Sequence, residues 1–252
     1  MITGGGGCLM KSFKLINIWN YILDIIPYLK VTFSMVIISM IFGCLFGILL
    51  AKGKLSKSKA ARGVCFGYTT IIRCVPTVVM LFLVYYGLPR LLTGLGVNVE
   101  NISTFFYVVL TFIIFSASEL SEVMRSAYEA VNKGQTEAGV SIGMTGWQTF
   151  WRIVFPQALR IAIPNLGNAV IMLFKEGSLA FLVGFIDTMG RANILQGNTY
   201  GLHALEIYAA VSIVYWVCCV ILEQLIKIYE RVAMNREKGM TTKKVQTAKA
   251  EV

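Results

Sequence analysis

Five ionisable residues interrupt stretches that are otherwise apolar, and any chemistry is to be sought there first: Arg73, Glu119, Glu122, Lys175 and Glu176. Each would cost roughly 2.5–3.5 kcal/mol at the middle of a bilayer if left unpaired, so each needs a polar cavity, a partner subunit or another charge. Glu122 and Arg125 are three residues apart, share a helix face and can pair with one another. Lys175 and Glu176 are adjacent and point apart, so they need different partners. Covalent or metal chemistry finds little to use. His203 is the sole histidine, which leaves no histidine cluster for a metal and no base for a triad. The six cysteines (Cys8, Cys44, Cys65, Cys74, Cys218 and Cys219) mostly fall in apolar runs without a C-x-x-C pair, and read as small packing residues. A phosphate-cradling Gly-x-x-x-x-Gly-Lys-Ser/Thr is missing as well. Lys54 follows Gly53, but Ile48 stands where the first glycine belongs and Leu55 where the hydroxyl belongs.

The elements that must position these charges are membrane spans. The chain has 252 residues, is 56% hydrophobic and 14% charged, and has a mean hydropathy of +0.69. A soluble domain needs more polar surface than that. Val31 to Ala51 carries no charge and is long enough to cross ~30 Å of hydrocarbon at ~1.5 Å per residue. Five spans are expected, near residues 25–51, 64–88, 102–126, 159–186 and 205–229. The net charge of +10 does not point to nucleic acid, because the basic residues gather in short segments between apolar runs. Lys52, Lys54, Lys57, Lys59 and Arg62 follow the first span, and Lys133, Arg152 and Arg160 follow the third. The tail carries Lys227, Arg231, Arg236, Lys238, Lys243, Lys244 and Lys249. Only Arg90, with Glu100, follows the second span, and only Arg191 the fourth. This alternation puts the C-terminus in the cytoplasm and the N-terminus outside, with Lys11, Lys14 and Lys30 as minor dissenters. Residues 1–20 are expected to be a poorly ordered leader, 21–232 the membrane domain and 233–252 a basic, disordered cytoplasmic tail. Cys8 follows the run Gly4 to Gly7 with no apolar run before it, so no cleavable or lipoprotein-type signal is expected. Gly43 and Gly47 form a small-x-x-x-small pattern that permits close helix packing.

One segment between the third and fourth spans is too polar to cross and too patterned to be a passive linker. It covers about 128–157, is amphipathic, and is punctuated by Gly134, Gly139, Gly143, Gly146 and Pro156. One or two short helices are expected there, offered to another protein. Within it, Glu137-Ala138-Gly139 is followed after three residues by Gly143, and after nine more by Ile153-Val154-Phe155-Pro156. Small residues at 138 and 139 would let a helix sit closely in a partner's groove, and Gly143 would supply a tight bend. Glu137 would offer a charge to a basic group or a helix N-terminus.

This pattern resembles the signature loop of importer-type ABC permeases, Glu-Ala-Ala, three residues, Gly, nine residues, Ile-x-Leu-Pro. Gly139 and Phe155 are the departures. Further motifs resemble the polar amino-acid branch, the histidine, glutamine and cystine-type importer permeases. Arg73-Cys74-Val75-Pro76 keeps the ends of its Arg-Gly-Thr-Pro, and Glu122-Val123-Met124-Arg125 matches its Glu-x-x-Arg. Lys133-Gly134-Gln135-Thr136-Glu137-Ala138 matches Lys-Gly-Gln-x-Glu-Ala, and Phe155-Pro156-Gln157-Ala158 matches Leu-Pro-Gln-Ala. Lys175-Glu176-Gly177-Ser178-Leu179 follows Lys-Asp-Thr-Ser-Leu.

The resemblance implies an all-α integral membrane fold of the type I importer permease class, with five transmembrane helices and a cytoplasmic coupling-helix loop in a bacterial plasma (inner) membrane. It implies a second permease copy or a sister permease, a dimer of ATP-binding subunits docked on the loops, and an extracellular or periplasmic solute-binding protein. ATP would be used by the partner subunit, and no cofactor or nucleic acid by this chain. Coupling would rest on Glu137, Ala138, Gly139, Gly143 and Pro156. An amino-acid zwitterion needs an anion for its ammonium, for which Glu119 is the candidate, in a place where the branch usually carries Tyr. Arg73 or Lys175 could meet the carboxylate, with Glu122, Glu176 and Ser178 also along the path. Phe185-Ile186-Asp187-Thr188-Met189-Gly190-Arg191 resembles the form seen in cystine permeases. Structural pairing of the charges, and an ion channel needing no ATPase, are the competing readings.

Overall fold

The computed structural model describes residues 15–97 and 102–250, with side chains described up to residue 231. Lys11, Lys14, Cys8, the glycine run and Glu100 lie outside the described residues. All regular structure among the described residues is helical. The helices are α1 (Leu15–Ile25), α2 (Leu29–Lys54), α3 (Lys59–Cys74), α4 (Thr77–Phe82), α5 (Leu88–Gly94), α6 (Thr104–Ala130), α7 (Lys133–Ser141), α8 (Gly146–Thr149), α9 (Phe155–Glu176), α10 (Thr188–Asn198) and α11 (Ala204–Ala250). Five segments are long and apolar enough to cross a membrane, as expected: Leu15–Lys54, Thr77–Gly94, Thr104–Ala130, Gly146–Val183 and Ala204–Arg231.

Three departures from the sequence reading have physical causes. The expected second span, 64–88, is not one helix, and the crossing segment starts later, at Thr77. Val75 is extended (φ −85°, ψ 127°) and separates α3 from α4, because Pro76 disfavours the helical conformation for the residue before it. Residues 15–20 of the expected leader begin α1, and α11 continues as helix to Ala250 through the tail. The fourth span runs through Pro164 within α9 and breaks only further on. The break there falls at Gly177, where the chain tightens into a 3-10 helix, Gly177–Val183.

The core is built on α2 and α6. Gly43 and Gly47 fulfil the packing role their spacing offers: a Cβ on Gly43 would stand 2.0 Å from Ser116 Oγ, and one on Gly47 would be 3.2 Å from Leu120 Cβ. Met35 and Val36 of α2, Leu81 of α4, Val108 and Phe112 of α6, and Leu173 and Phe174 of α9 form one buried cluster. A second cluster joins α1, α10 and α11 through Ile18, Ile25, Ala192, Leu195, Ile207, Ala210 and Val211. Thr32, near the start of α2, meets α10, whereas Lys54 at its end meets α6 beside the loop. The α1–α10 cluster and the loop therefore occupy opposite ends of the bundle.

Candidate functional site

Two helix breaks face each other. At the first, α3 ends with Arg73 and Cys74 and α4 starts at Thr77; at the second, α9 ends at Glu176. The Thr77 hydroxyl donates to Glu176 Oε2 at 3.1 Å and ties the breaks together. Glu119, near the middle of α6, is half-buried and lies within electrostatic reach of both Glu176 and Arg73. Two carboxylates and one guanidinium thus converge where backbone groups are released from the helical ladder. Arg73 is exposed on this chain's own surface.

The other sequence candidates go elsewhere. Glu122 is held in an ion network: Lys54 Nζ donates to its Oε1 at 2.6 Å, and Arg125 Nε to its Oε2 at 3.0 Å. Arg125 also reaches Glu129 on the next turn, and both cations lie over the Phe66 ring. Glu122 therefore pairs with these neighbours, as the spacing to Arg125 allowed. Lys175 points away from Glu176 and is exposed, with Cys219 of α11 in its field. Ser178 donates to the Lys175 carbonyl at 2.7 Å, a local turn contact. Sequence reasoning missed Thr77, Asn165 and Asn168. The last two lie on one face of α9 with Lys175, all exposed on this chain. The signal was available, since positions 165, 168, 172 and 175 recur at helical spacing inside an apolar span.

The loop forms a helix–turn–helix. Asn132 caps α7 by accepting from Gly134 N at 2.8 Å. Gly143 sits at φ +83°, the left-handed conformation that its expected bend requires. Thr145 and Gln148 then form a reciprocal capping box at the start of α8. A π turn, Phe150–Val154, leads into α9 with Pro156 in its first turn, where a missing N–H costs least. Glu137 and Ala138 are exposed. Gly139 is not: a Cβ there would lie 2.7 Å from Thr149 Cγ2, so its smallness serves packing of α7 on α8 within the chain. Val140, Ile142, Trp147 and Trp151 remain exposed, Ile142 at 78% and Trp147 at 70%. Together these side chains leave an apolar patch uncovered at the loop end of the bundle.

Asp187 is fully buried as the N-cap of α10 and accepts from Gly190 N at 2.8 Å. Thr32 Oγ1 donates to its Oδ2 at 3.4 Å and lies 2.7 Å from Thr188 Oγ1. Burial pushes this carboxyl up from 3.8 to about 6, against the lowering effect of its hydrogen bonds.

Residues 43–233 match the family described as binding-protein-dependent transport system inner membrane component. The chain belongs to that family. It is a membrane-spanning transport permease with the type I importer fold, and the family does not favour the channel reading. The L-cystine transport system permease protein TcyL of Bacillus subtilis (strain 168) is 36% identical over 232 residues, covering 92% of this chain and 96% of that protein. The probable amino-acid permease protein YxeN of the same organism is also 36% identical, covering 86% and 96%. Among solved structures, an amino acid ABC transporter with histidines matches with a TM-score of 0.77 and 30% identity, over 87% of this chain and 99% of that one. A bacterial transporter that imports alginate shares the fold at a TM-score of 0.69 and 18% identity.

Proposed function

We propose that this permease carries a polar amino acid, with cystine or a related sulfur amino acid the foremost candidate, across the bacterial plasma membrane by alternating access. The observation that carries the reading is the convergence of Arg73, Glu119 and Glu176 at the two helix breaks. A zwitterion needs both signs of charge within a few ångströms, and intramembrane charges are retained mainly where they have such work. Glu119 takes the ammonium with Glu176 beside it, and Arg73 takes the carboxylate as a bidentate partner. The similarity to a cystine permease over 92% of the chain supports the same substrate class.

Energy comes from elsewhere. A dimer of ATP-binding subunits docks on the loop, with Trp147, Ile142 and Val140 in its groove and Glu137 at the rim. ATP binding closes that dimer, moves α7 and α8, and rocks the spans so that the path opens outward; hydrolysis resets it. The basic segments flanking the loop side make that face cytoplasmic, with the N-terminus outside. A second permease copy or a sister permease lies against the exposed face of α9 that carries Asn165, Asn168 and Lys175, and an external binding protein delivers substrate.

The decisive experiment is uptake of labelled amino acids into liposomes holding the permease, its ATPase and its binding protein. Glu119→Gln should raise the half-saturating substrate concentration about tenfold or more, as loss of one charge-assisted bond of ~1.5–3 kcal/mol implies. Unchanged uptake would remove Glu119 from the site. Current without ATPase would return the channel reading.

A further inference from the structure

We infer that α1 is an interfacial anchor that lies flat on the membrane at the end of the bundle opposite the loop, with its free apolar face in the lipid. The argument starts from length. α2 alone has 26 residues, about 39 Å of helix against a hydrocarbon core of about 30 Å. It crosses unaided. The 11 residues of α1 precede it across a 3-10 turn, Ile26–Tyr28, that holds Pro27, so they are surplus to the span and free to change direction.

The faces of α1 then say where it lies. At about 100° per residue its side chains divide into three sectors. Ile18 and Ile25 are buried, with Tyr21 and Ile22 packed beside them against α10 and α11. Leu15, Ile16, Trp19, Leu23 and Ile26 occupy the next sector and are exposed, Leu15 at 74% and Trp19 at 59%. Asn17, Asn20 and Asp24 share the remaining sector, of which Asn20 and Asp24 are exposed. A helix submerged in hydrocarbon would not carry Asn20 and Asp24 outward, and one in water would not expose five large apolar side chains. Protein on one side, lipid on the second and water on the third is the geometry of a helix in the interface plane. The span that follows has an exposed apolar row of its own, Ile37, Ile41, Leu45 and Leu49 of α2, recurring every four residues as a lipid-facing stripe would. Trp19 falls in the apolar sector, and tryptophan favours the headgroup boundary. On the orientation proposed above, the surface is that of the outer leaflet.

A tryptophan scan reads the three sectors directly. The full chain carries four tryptophans, so Trp147, Trp151 and Trp216 are replaced by Phe to leave Trp19 alone. Further variants move the single tryptophan to positions 23, 20 and 24. Each is reconstituted into phosphatidylcholine vesicles brominated either high on the acyl chain or near its end, and acrylamide is the aqueous quencher. Tryptophan at 19 and 23 should be quenched several-fold more by the high bromines than by the deep ones, and at 20 and 24 mainly by acrylamide. Equal quenching of all four positions by deep bromines would make α1 part of a span and overturn the inference. Positions 19 and 23 shielded from both quenchers would place a second copy or another protein on that face, and overturn it equally. Position 19 is native, so its result stands even if a moved tryptophan disturbs packing.

Discussion

Lys54 Nζ lies 2.6 Å from Glu122 Oε1, and the lysine side chain has no solvent exposure. Its other acceptor is Ser121 Oγ at 2.7 Å. The pair joins the end of α2 to α6, two turns before α6 hands over to the loop. The two partners are not equivalent, because Glu122 keeps Arg125 at 2.9 Å if Lys54 is lost, whereas Lys54 keeps no anion if Glu122 is lost. Glu122→Gln should therefore destabilise the protein more than Lys54→Met. A buried charge left unpaired costs about 3–5 kcal/mol, and the double variant should recover part of that. Thermal unfolding of the four proteins in nanodiscs measures the cycle. Equal losses in the single variants, simply additive in the double, would show that the contact carries no coupling.

Replacement at Gly143 separates coupling from folding. Its φ of +83° is open to glycine at no strain, and a Cβ there meets nothing within 4 Å. Gly143→Ala should therefore cost only the backbone penalty of about 1–2 kcal/mol and leave the permease folded. Gly143→Asp adds a charge at the exposed turn and should lower co-purification of the ATP-binding subunit, or leave its ATPase activity unlinked to uptake. Normal uptake by the aspartate variant would take this turn out of the docking surface.

The legibility of the sequence was uneven in an instructive way. Local rules carry far: Gly43 and Gly47 mark a close helix contact, Gly143 marks a tight bend, and Glu122 with Arg125 marks an ion pair. Pair contacts between distant segments were not visible, since nothing in one sequence says that Lys54 meets Glu122 or Thr77 meets Glu176. Pro76 belongs to a sequence motif, and by a local steric rule it also keeps Val75 out of the helical conformation. The smallness of Gly139 suggests a partner's groove, but the group that approaches it is Thr149 of the same chain. Smallness announces a close approach and leaves open what approaches.

Close approach also predicts where the membrane core will fail first. A methyl group on Gly43 would stand 2.0 Å from Ser116 Oγ and 2.7 Å from its Cβ, and Ser116 itself is anchored by hydrogen bonds to Phe112 O and Ser39 O. Gly43→Ala must push α2 and α6 apart or turn the serine out of both bonds. A loss of about 1–3 kcal/mol is expected, and Gly43→Val should abolish stable expression. Ser116→Ala in the Gly43→Ala background relieves part of the clash and should recover part of the loss. Without that recovery, as read by melting temperature, the clash lies elsewhere.

Asp187 gives the protein a pH signature that its ordinary surface carboxylates do not. Its carboxyl titrates near 6 in the fold because burial opposes the charge, against 3.8 when free. The folded state thus holds the proton more tightly than the unfolded state. The stability this contributes is fully present below about pH 4 and is lost as pH rises through 6. The shift of about two units corresponds to about 3 kcal/mol across that window. Asp187→Asn keeps an acceptor for Gly190 N, so the cap of α10 persists while the titration disappears. The difference in melting temperature between wild type and variant should therefore change between pH 4 and pH 7, with the wild type losing ground as pH rises. A constant difference over that range would mean that Asp187 is ionised throughout, its charge met by a group such as Arg191, whose guanidinium lies over the Tyr28 ring one turn away.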